Sequence, residues 1–258
     1  MTARLGGDLG ATWLRACLSD GTTAVWTERV HATAWRDAPA ALRRCLKKHG
    51  LRRVDELTLG GTRLGGKQGR ATLTKLLKPL STRVKVVPDF EIAHRAAFGA
   101  GPGVLLVAST GSIAFARGTD GKTRRAGGLG PLLGDEGSGF WLGKTASRDA
   151  ILRRELRLPA PLDLAHEHDP VRATAALAPR ILRARSSRAR KLREDAADHL
   201  AALAAEAVND LVLPRPIPLA LHGSLFMNAA LRKAVLRRLG RVVLIAPRVT
   251  AERAAAGL

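Results

Sequence analysis

A strand–turn–strand–turn–strand pattern, which occurs twice along the chain, most constrains the fold. In the first copy, strand-like segments at Arg4–Asp8, Thr12–Leu18 and Thr23–Val30 are separated by a glycine-rich turn and a Ser-Asp-Gly-Thr turn. Short β-prone runs bounded by such turn residues are typical of β-hairpins. The segment therefore predicts the antiparallel start of a sheet.

The second copy follows the glycine-rich segment 99–103, which is the best candidate for a linker. Strand-like segments at Val104–Ala108, Ile113–Arg117 and Lys122–Arg125 come in the same order, again with polar and glycine turns between them. Because the same pattern opens both parts of the chain, we predict two related halves.

Helical sequence fills much of the rest of each half. Ala38–His49 has apolar residues at helical spacing, and the same kind of pattern predicts helices over Gly139–Leu156 and Val171–Arg185. Strands that alternate with helices indicate an α/β fold. We therefore predict an α/β protein with an N-terminal lobe at 1–98 and a C-terminal lobe at 99–258.

The chain is strongly basic, with a formal net charge of +21. Such a surface attracts polyanions, and one dense basic stretch lies at Arg180–Arg193. Tyr is absent and Phe is scarce, so few aromatic side chains are present for stacking on bases. No recognised nucleic-acid-binding module accompanies the charge. We expect a solvated basic face on an enzyme that uses anionic nucleotides, and no main role in binding nucleic acid.

Targeting and redox signals are weak. No apolar run approaches the roughly 18 residues that a membrane-spanning helix needs, and the first residues enter a strand-like segment without a charged-then-apolar leader. Cys17 and Cys45 are too few for a disulfide framework and lack metal-ligand spacing, so we expect them in the core. These features predict a cytoplasmic protein without a membrane partner.

Four glycine-rich segments each follow an apolar strand. Glycine lets the backbone approach a phosphate closely, so that successive N–H groups point at an anion. Any one such turn is weak evidence, and no Walker A sequence is present. The succession of four, with acidic residues in two, predicts phosphate binding. The segments are Gly6–Thr12, Ser109–Ser112, Gly127–Ser138 and Gly223–Ser224.

Three carboxylates near these segments are candidates for chemistry. Asp8 lies inside the first turn, where it suits Mg²⁺ held through water. Asp89 follows the strand Val84–Val87 and begins a helix, so it is either an N-cap or a general base at the carboxyl end of a strand. Position alone favours the cap. Asp135 precedes a helix within a glycine loop and could likewise be only a cap.

Five segments together carry a family resemblance: GGDLGAT, PDFEIAHRAAF, VLLVASTGSIA, GGLGPLLGDEGSGFWLG and LHGSLF. They resemble the BadF/BadG/BcrA/BcrD-type ATPases and, within them, most of all the N-acetylglucosamine and glucosamine kinases of the actin, hexokinase and heat-shock-chaperone superfamily. The resemblance implies two lobes of ribonuclease H-like fold. Each lobe would be a mixed five-stranded sheet with helices, and ATP would bind in the cleft.

The resemblance also implies roles for the nucleotide-binding residues. Asp8 would help to hold Mg²⁺, Gly10 and Thr12 would contact the phosphates from the first lobe, and the turn at 110–112 would contact them from the second. The adenosine pocket would lie beside the fourth glycine segment. The implied cofactor-binding positions are Asp8, Gly10, Thr12, Thr110, Gly111, Ser112, Gly223 and Ser224.

On the acceptor side, the resemblance implies that Asp89 is the catalytic base and fixes the attacking sugar hydroxyl, while Gly128 and Asp135 bind the sugar. With the motif around it, the base interpretation of Asp89 is favoured over the cap. The implied activity is that of a carbohydrate kinase that transfers the γ-phosphate of ATP to an amino sugar such as N-acetylglucosamine or glucosamine.

Other functions remain open at this stage. One alternative is a BadF/BadG-type ATPase, or a nucleotide- or sugar-binding regulatory protein, that does not phosphorylate sugar. Another is a polyanion-binding protein, which steeply salt-dependent binding would reveal. An intact Asp89 beside intact phosphate turns favours the enzyme. A homodimer, the identity of the sugar and the hydroxyl that is phosphorylated stay open.

Overall fold

A computed structural model describes residues 2–10, 13–32, 34–62, 64 and 66–258. The chain forms two compact units. Unit 1 comprises the described residues up to Ala100 together with Pro247–Leu258, and unit 2 comprises Gly101–Ala246. None of the described helices has the length and apolar character needed to cross a membrane.

The sheet of unit 1 has five strands: β1 (Arg4–Leu9), β2 (Trp13–Ser19), β3 (Ala24–His31), β4 (Val54–Gly61) and β5 (Ser81–Pro88). Their order is β3-β2-β1-β4-β5. β2 is antiparallel to β1 and β3, whereas β1, β4 and β5 run parallel. The two hairpins predicted from the turn residues are present, with strand ends shifted by one residue.

Three helices of unit 1 cover this sheet: α1 (Ala38–Lys48), α2 (Lys67–Leu77) and α3 (Asp89–Phe98). The buried leucines of α1 and α2 pack with Leu5 and its neighbours on one face of the sheet. α3 packs on the opposite face, where a Cβ at Gly60 would lie 2.4 Å from Ile92 Cδ1.

Unit 2 repeats the sheet of unit 1. Its strands are β6 (Gly103–Ala108), β7 (Ser112–Arg117), β8 (Thr123–Gly127), β9 (Ile217–His222) and β10 (Val242–Leu244). Their order, β10-β9-β6-β7-β8, is that of the first sheet read from the other edge, with the same parallel and antiparallel pairs. The predicted α/β fold with two mixed five-stranded sheets is confirmed.

The two helices predicted at Gly139–Leu156 and Val171–Arg185 are each divided into two in unit 2. The predicted helix Gly139–Leu156 is interrupted because the Asp149 carboxylate accepts the Ile151 and Leu152 N–H groups and starts a new helix. Within Val171–Arg185, Pro179 stands near a second helix start, where its missing N–H does no harm. The helices are α4 (Gly139–Arg148), α5 (Ala150–Glu155), α6 (Pro161–Ala165), α7 (Pro170–Ala175), α8 (Ala178–Arg183), α9 (Ser187–Val208) and α10 (Ala229–Leu239).

The last helix, α11 (Ala251–Ala255), packs against β1 in unit 1. Gly6 permits this packing, because a Cβ there would lie 2.1 Å from the Glu252 carbonyl oxygen and 2.3 Å from the Ala256 nitrogen. The Ser19 hydroxyl also donates to the Ala256 carbonyl oxygen at 2.7 Å. The predicted lobe 99–258 therefore differs from unit 2 in its last residues, which return to the first sheet. Cys17 and Cys45 are free and buried.

Candidate functional site

In unit 1, Asp8 is held at the end of β1 by an ion pair. It is 9% exposed, and Arg15 Nη2 donates to its Oδ2 at 2.6 Å. Asp8 and Arg15 are directly opposite in the β1–β2 register, where side chains of opposite charge stabilise an antiparallel pair. Arg15 Nε also lies 3.9 Å from Oε2 of the buried Glu252 on α11. The sequence analysis did not identify Arg15 or Glu252.

Gly10 directly follows β1. The Gly10 N–H donates to the Trp13 carbonyl oxygen at 2.9 Å and so closes a tight loop between β1 and β2. Gly10 thus lies at the predicted phosphate-binding turn. Thr12, which the sequence analysis also placed there, lies outside the described residues.

Asp89 is the first residue of α3, directly after β5. The N-cap is Pro88 rather than Asp89, so the cap interpretation weighed from the sequence is wrong in register. The Asp89 Oδ1 atom accepts the Phe90 N–H at 2.9 Å. A carboxylate in the first turn of a helix also interacts favourably with the helix dipole.

Asp8 and Asp89 lie at one edge of the first sheet. The residues that end the three parallel strands, Leu9, Gly61 and Pro88, are paired in one row. Asp8 precedes this row on β1 and Asp89 follows it on β5, so two strand spacings, about 10 Å, separate their strands. Ligand sites in open α/β sheets gather at this carboxyl edge.

In unit 2, the turn between β6 and β7 carries the predicted phosphate-binding residues. The Ser112 N–H donates to Asp135 Oδ1 at 3.1 Å, and the Ser112 hydroxyl donates to the Glu136 carbonyl oxygen at 2.8 Å. The N–H groups that begin α4 donate to the Ser109 and Thr110 carbonyl oxygens at 2.8 and 3.1 Å. These contacts fix the turn against the loop that precedes α4.

The same turn leaves two consecutive donors available. Within the described residues, the backbone N–H groups of Thr110 and Gly111 have no acceptor, whereas those of Ser109 and Ser112 do. Thr110 is exposed and Gly111 is half-buried. Consecutive N–H groups in a turn form a concavity that binds anions.

Asp135 stabilises this turn from a strained position. It is 8% exposed and has φ +64°. Its carboxylate packs closely on Gly111, since a Cβ on that glycine would lie only 2.8 Å from Oδ1. Burial raises the pKa of Asp135 above its ordinary value of 3.8, and the Ser112 N–H partly offsets the rise. Asp135 does not cap α4, because the N-cap is Ser138, whose hydroxyl accepts the Trp141 N–H. The cap interpretation of Asp135 is therefore wrong.

A pocket of about 440 Å³ opens beside the turn within unit 2. The turn residues Ser109 and Thr110 line this pocket, and so does Ser224. Ser224 is the residue for which the resemblance implied a contact to adenosine. Helices α7 and α8 contribute most of the remaining wall, including the guanidinium-bearing residues Arg172 and Arg183, which the sequence analysis did not identify. Pockets of this volume fit a small molecule.

Two further predicted glycines occupy close-packed positions around the turn. Gly223, with φ +105°, brings the chain after β9 against β6, since a Cβ there would lie 2.2 Å from the Ala108 carbonyl oxygen. Gly128, with φ +66°, donates its N–H to the Ser112 carbonyl oxygen at 2.9 Å. Unit 2 therefore brings Thr110–Ser112, Gly128, Asp135 and Ser224 together around this turn.

The chemistry of Asp8 fits a magnesium ion. Mg²⁺ is commonly bound through one or two carboxylates, waters and substrate phosphates rather than by a protein cage. Asp8 supplies such a carboxylate at the carboxyl edge of the sheet, and among the described residues no cluster of three or more metal-ligating side chains occurs.

Known proteins of similar sequence include a kinase. An N-acetylmuramic acid/N-acetylglucosamine kinase from Clostridium acetobutylicum is 38% identical over 69 residues. That match covers 27% of this chain and 22% of the relative, so it spans about a fifth of the relative's length.

Solved structures with the same architecture cover nearly the whole chain. A candidate N-acetylglucosamine kinase from Chromobacterium violaceum has a TM-score of 0.76 and 25% identity, with 99% of this chain and 98% of that chain covered. The ROK hexokinase from Thermus thermophilus has a TM-score of 0.62 and 18% identity, with 99% and 97% covered, and shows the fold alone. Both sheets therefore belong to the actin- and hexokinase-like ATPase fold. The BadF/BadG/BcrA/BcrD ATPase family model matches residues 5–256, and the chain belongs to this family.

Proposed function

We propose that this protein is an ATP-dependent kinase that transfers the γ-phosphate of ATP to a hydroxyl of an amino sugar. The observation that carries the proposal is the turn between β6 and β7, where the Thr110 and Gly111 N–H groups are available beside a pocket that Thr110 also lines. Phosphoryl transfer depends mainly on positioning and on neutralising phosphate charge. Such donors support both.

In this proposal, unit 2 holds the nucleotide. The N–H groups of the turn and the Thr110 hydroxyl donate to phosphate oxygens, and the pocket beside Ser224 takes the nucleoside. Asp135 acts from behind the turn by accepting the Ser112 N–H. Ser112 connects Asp135 to Gly128, because its carbonyl oxygen accepts the Gly128 N–H. We retain Asp135 and Gly128 as proposed sugar contacts.

Unit 1 supplies the acid–base chemistry and the metal ligand. Asp89, in the first turn of α3, accepts the proton of the attacking sugar hydroxyl. Asp8 holds Mg²⁺, which supplies positive charge to the donor phosphates when bound. Gly10 and Thr12 complete the proposed phosphate contacts of this unit.

The acceptor class rests on relatives. The Clostridium relative is named for N-acetylmuramic acid and N-acetylglucosamine, and the Chromobacterium structure for N-acetylglucosamine. An amino sugar is therefore the acceptor to test first. A nucleotide-hydrolysing ATPase without a sugar acceptor is the second candidate, because the family model that matches the chain is that of an ATPase family.

The test is ADP release with Mg-ATP across a panel of hexoses, hexosamines and N-acetylated hexosamines. We expect release that depends on an amino sugar and that falls by about 10³-fold or more in Asp89→Asn, since general-base catalysis contributes about 10²–10⁴-fold. Glu91→Gln is the matched control, because Glu91 lies in the same first turn of α3 and loses the same charge.

Retained activity in Glu91→Gln with loss in Asp89→Asn would support the base role over a dipole effect. ADP release that no sugar stimulates would contradict the proposal and favour the ATPase. Equal activity in Asp89→Asn and wild type would contradict the assignment of the base.

A further inference from the structure

Two arginines in the wall of the unit 2 pocket have no protein partner among the described residues. Arg172 on α7 and Arg183 at the end of α8 both line the pocket with Thr110. Neither guanidinium group forms an ion pair or a hydrogen bond within the described part of the chain. Arg188 and Arg193 nearby are different, because Arg188 pairs with Asp149 at 3.1 Å and Arg193 donates to the Leu182 carbonyl oxygen at 3.0 Å.

The same pocket offers little that could identify a base. None of its lining side chains is aromatic. The one lining amide, Asn228, is oriented by the protein, since its Nδ2 donates to the Leu182 carbonyl oxygen at 3.3 Å and its Oδ1 accepts the Leu231 N–H at 2.9 Å. The lining side chains of Ala175, Pro179 and their apolar neighbours carry no hydrogen-bonding group.

The two guanidinium groups give the pocket a means of recognising phosphate. Guanidinium groups bind phosphate through paired charge-assisted hydrogen bonds. Thr110, which carries one of the two turn donors, lines the same pocket as the two arginines. Besides Asn228 and the arginines, the hydrogen-bonding side chains of the wall are the hydroxyls of Ser109, Thr110 and Ser224. A hydroxyl can both donate and accept, so it distinguishes poorly between bases.

We propose that the pocket selects its donor through the phosphate chain, with Arg172 and Arg183 as phosphate-contacting residues, and discriminates only weakly among nucleobases. This inference rests on the nucleotide site of the proposed function, but not on transfer to a sugar. It also gives a role to part of the high positive charge, because Arg183 belongs to the dense basic stretch Arg180–Arg193.

The experiment measures binding by calorimetry without any sugar present, using ATP, GTP, adenosine and inorganic tripolyphosphate. For the wild type, we expect ATP and GTP affinities within about fivefold of each other, competition by tripolyphosphate, and adenosine binding at least about 100-fold weaker than ATP. Arg172→Ala and Arg183→Ala should each weaken ATP and tripolyphosphate about tenfold and leave adenosine unchanged.

Arg190→Ala is the control, because Arg190 is exposed, lies in the same basic stretch and does not line the pocket. It should bind ATP like the wild type. All three arginines are exposed, so we expect the variants to fold, and thermal unfolding of each checks this.

Three results would overturn the inference: adenosine binding as tightly as ATP, ATP binding about 100-fold tighter than GTP, or unchanged ATP affinity in both pocket variants. An equal loss in Arg190→Ala would also overturn it, since bulk charge would then explain the binding. A protein that shows the predicted binding but no sugar-dependent ADP release would uphold this inference and contradict the kinase proposal, so the two failures are distinguishable.

Discussion

The contact between Gly111 and Asp135 gives a quantitative prediction about the phosphate-binding turn. An alanine Cβ at position 111 would lie 2.8 and 2.9 Å from the two Asp135 carboxylate oxygens. Gly111 does not have a positive φ, so alanine is compatible with its backbone and the cost comes from the contact alone. Asp135 must therefore withdraw, and its hydrogen bond from the Ser112 N–H is lost.

The magnitude follows from that hydrogen bond. A hydrogen bond to a charged group contributes about 2 kcal/mol, while replacing Gly by Ala at a compatible position stabilises by about 0.5 kcal/mol through the unfolded state. We expect Gly111→Ala to lower the free energy of unfolding by about 1.5 kcal/mol. In an Asp135→Ala background the contact and the hydrogen bond are both absent, so the same substitution should cost nothing or stabilise slightly.

Urea denaturation of the two single variants and the double variant measures this coupling, which should be about 2 kcal/mol. Gly69→Ala in α2 is the control, because a Cβ there meets nothing within 4 Å. It should stabilise both backgrounds by about 0.5–1 kcal/mol. Equal costs for Gly111→Ala with and without Asp135 would refute the contact between the turn and the carboxylate.

Two further predictions concern the two units separately. Burial raises the pKa of Asp135, so the contribution of this carboxyl group to stability is complete below its unfolded pKa of 3.8 and is lost as the pH rises through its folded pKa. Asp135→Asn should therefore raise the free energy of unfolding near pH 7 and have little effect below pH 3.8. Urea denaturation at the two pH values would show this. Gly6→Ala should lower the free energy of unfolding by about 2 kcal/mol and expose 247–258 to hydrogen exchange, because its Cβ would lie 2.1 Å from the Glu252 carbonyl oxygen. Gly66→Ala is the control, since its Cβ meets nothing within 4 Å. Unchanged protection of 247–258 in Gly6→Ala would contradict the packing of α11.

Local patterns were sufficient to predict the strands and turns. Glycine and polar turns separate the strands of both hairpins, and these signals are short-range, so β1–β3 and β6–β8 were predicted to within a residue or two. The Asp8–Arg15 pair could also have been found, since the tight loop closed by Gly10 and Trp13 fixes the register of β1 and β2. The resemblance then implied a mixed five-stranded sheet in each lobe, which no local signal contains.

What the sequence pattern missed depends on contacts distant in sequence. Glu252 lies more than two hundred residues from Asp8, yet Arg15 lies between them, and only the packing of α11 on Gly6 shows this. Likewise, Asp135 looked like a helix cap because it precedes α4, whereas its carboxylate accepts an N–H from the far end of a turn 23 positions earlier. Arg172 stands on the short helix α7, which begins at the Asp169 cap, and Arg183 on the short helix α8, which has no side-chain cap.

The central claim, transfer of phosphate to an amino sugar, is tested most directly by following the fate of the γ-phosphate. Wild-type protein is incubated with Mg-ATP and the most stimulating amino sugar, and ADP, sugar phosphate and free phosphate are quantified together by ³¹P NMR and mass spectrometry. We predict that sugar phosphate forms in equal amount to ADP. The amount of free phosphate should not exceed the amount that Asp89→Asn releases in the same time. Free phosphate equal to ADP, with no sugar phosphate, would contradict the kinase and identify the reaction as ATP hydrolysis.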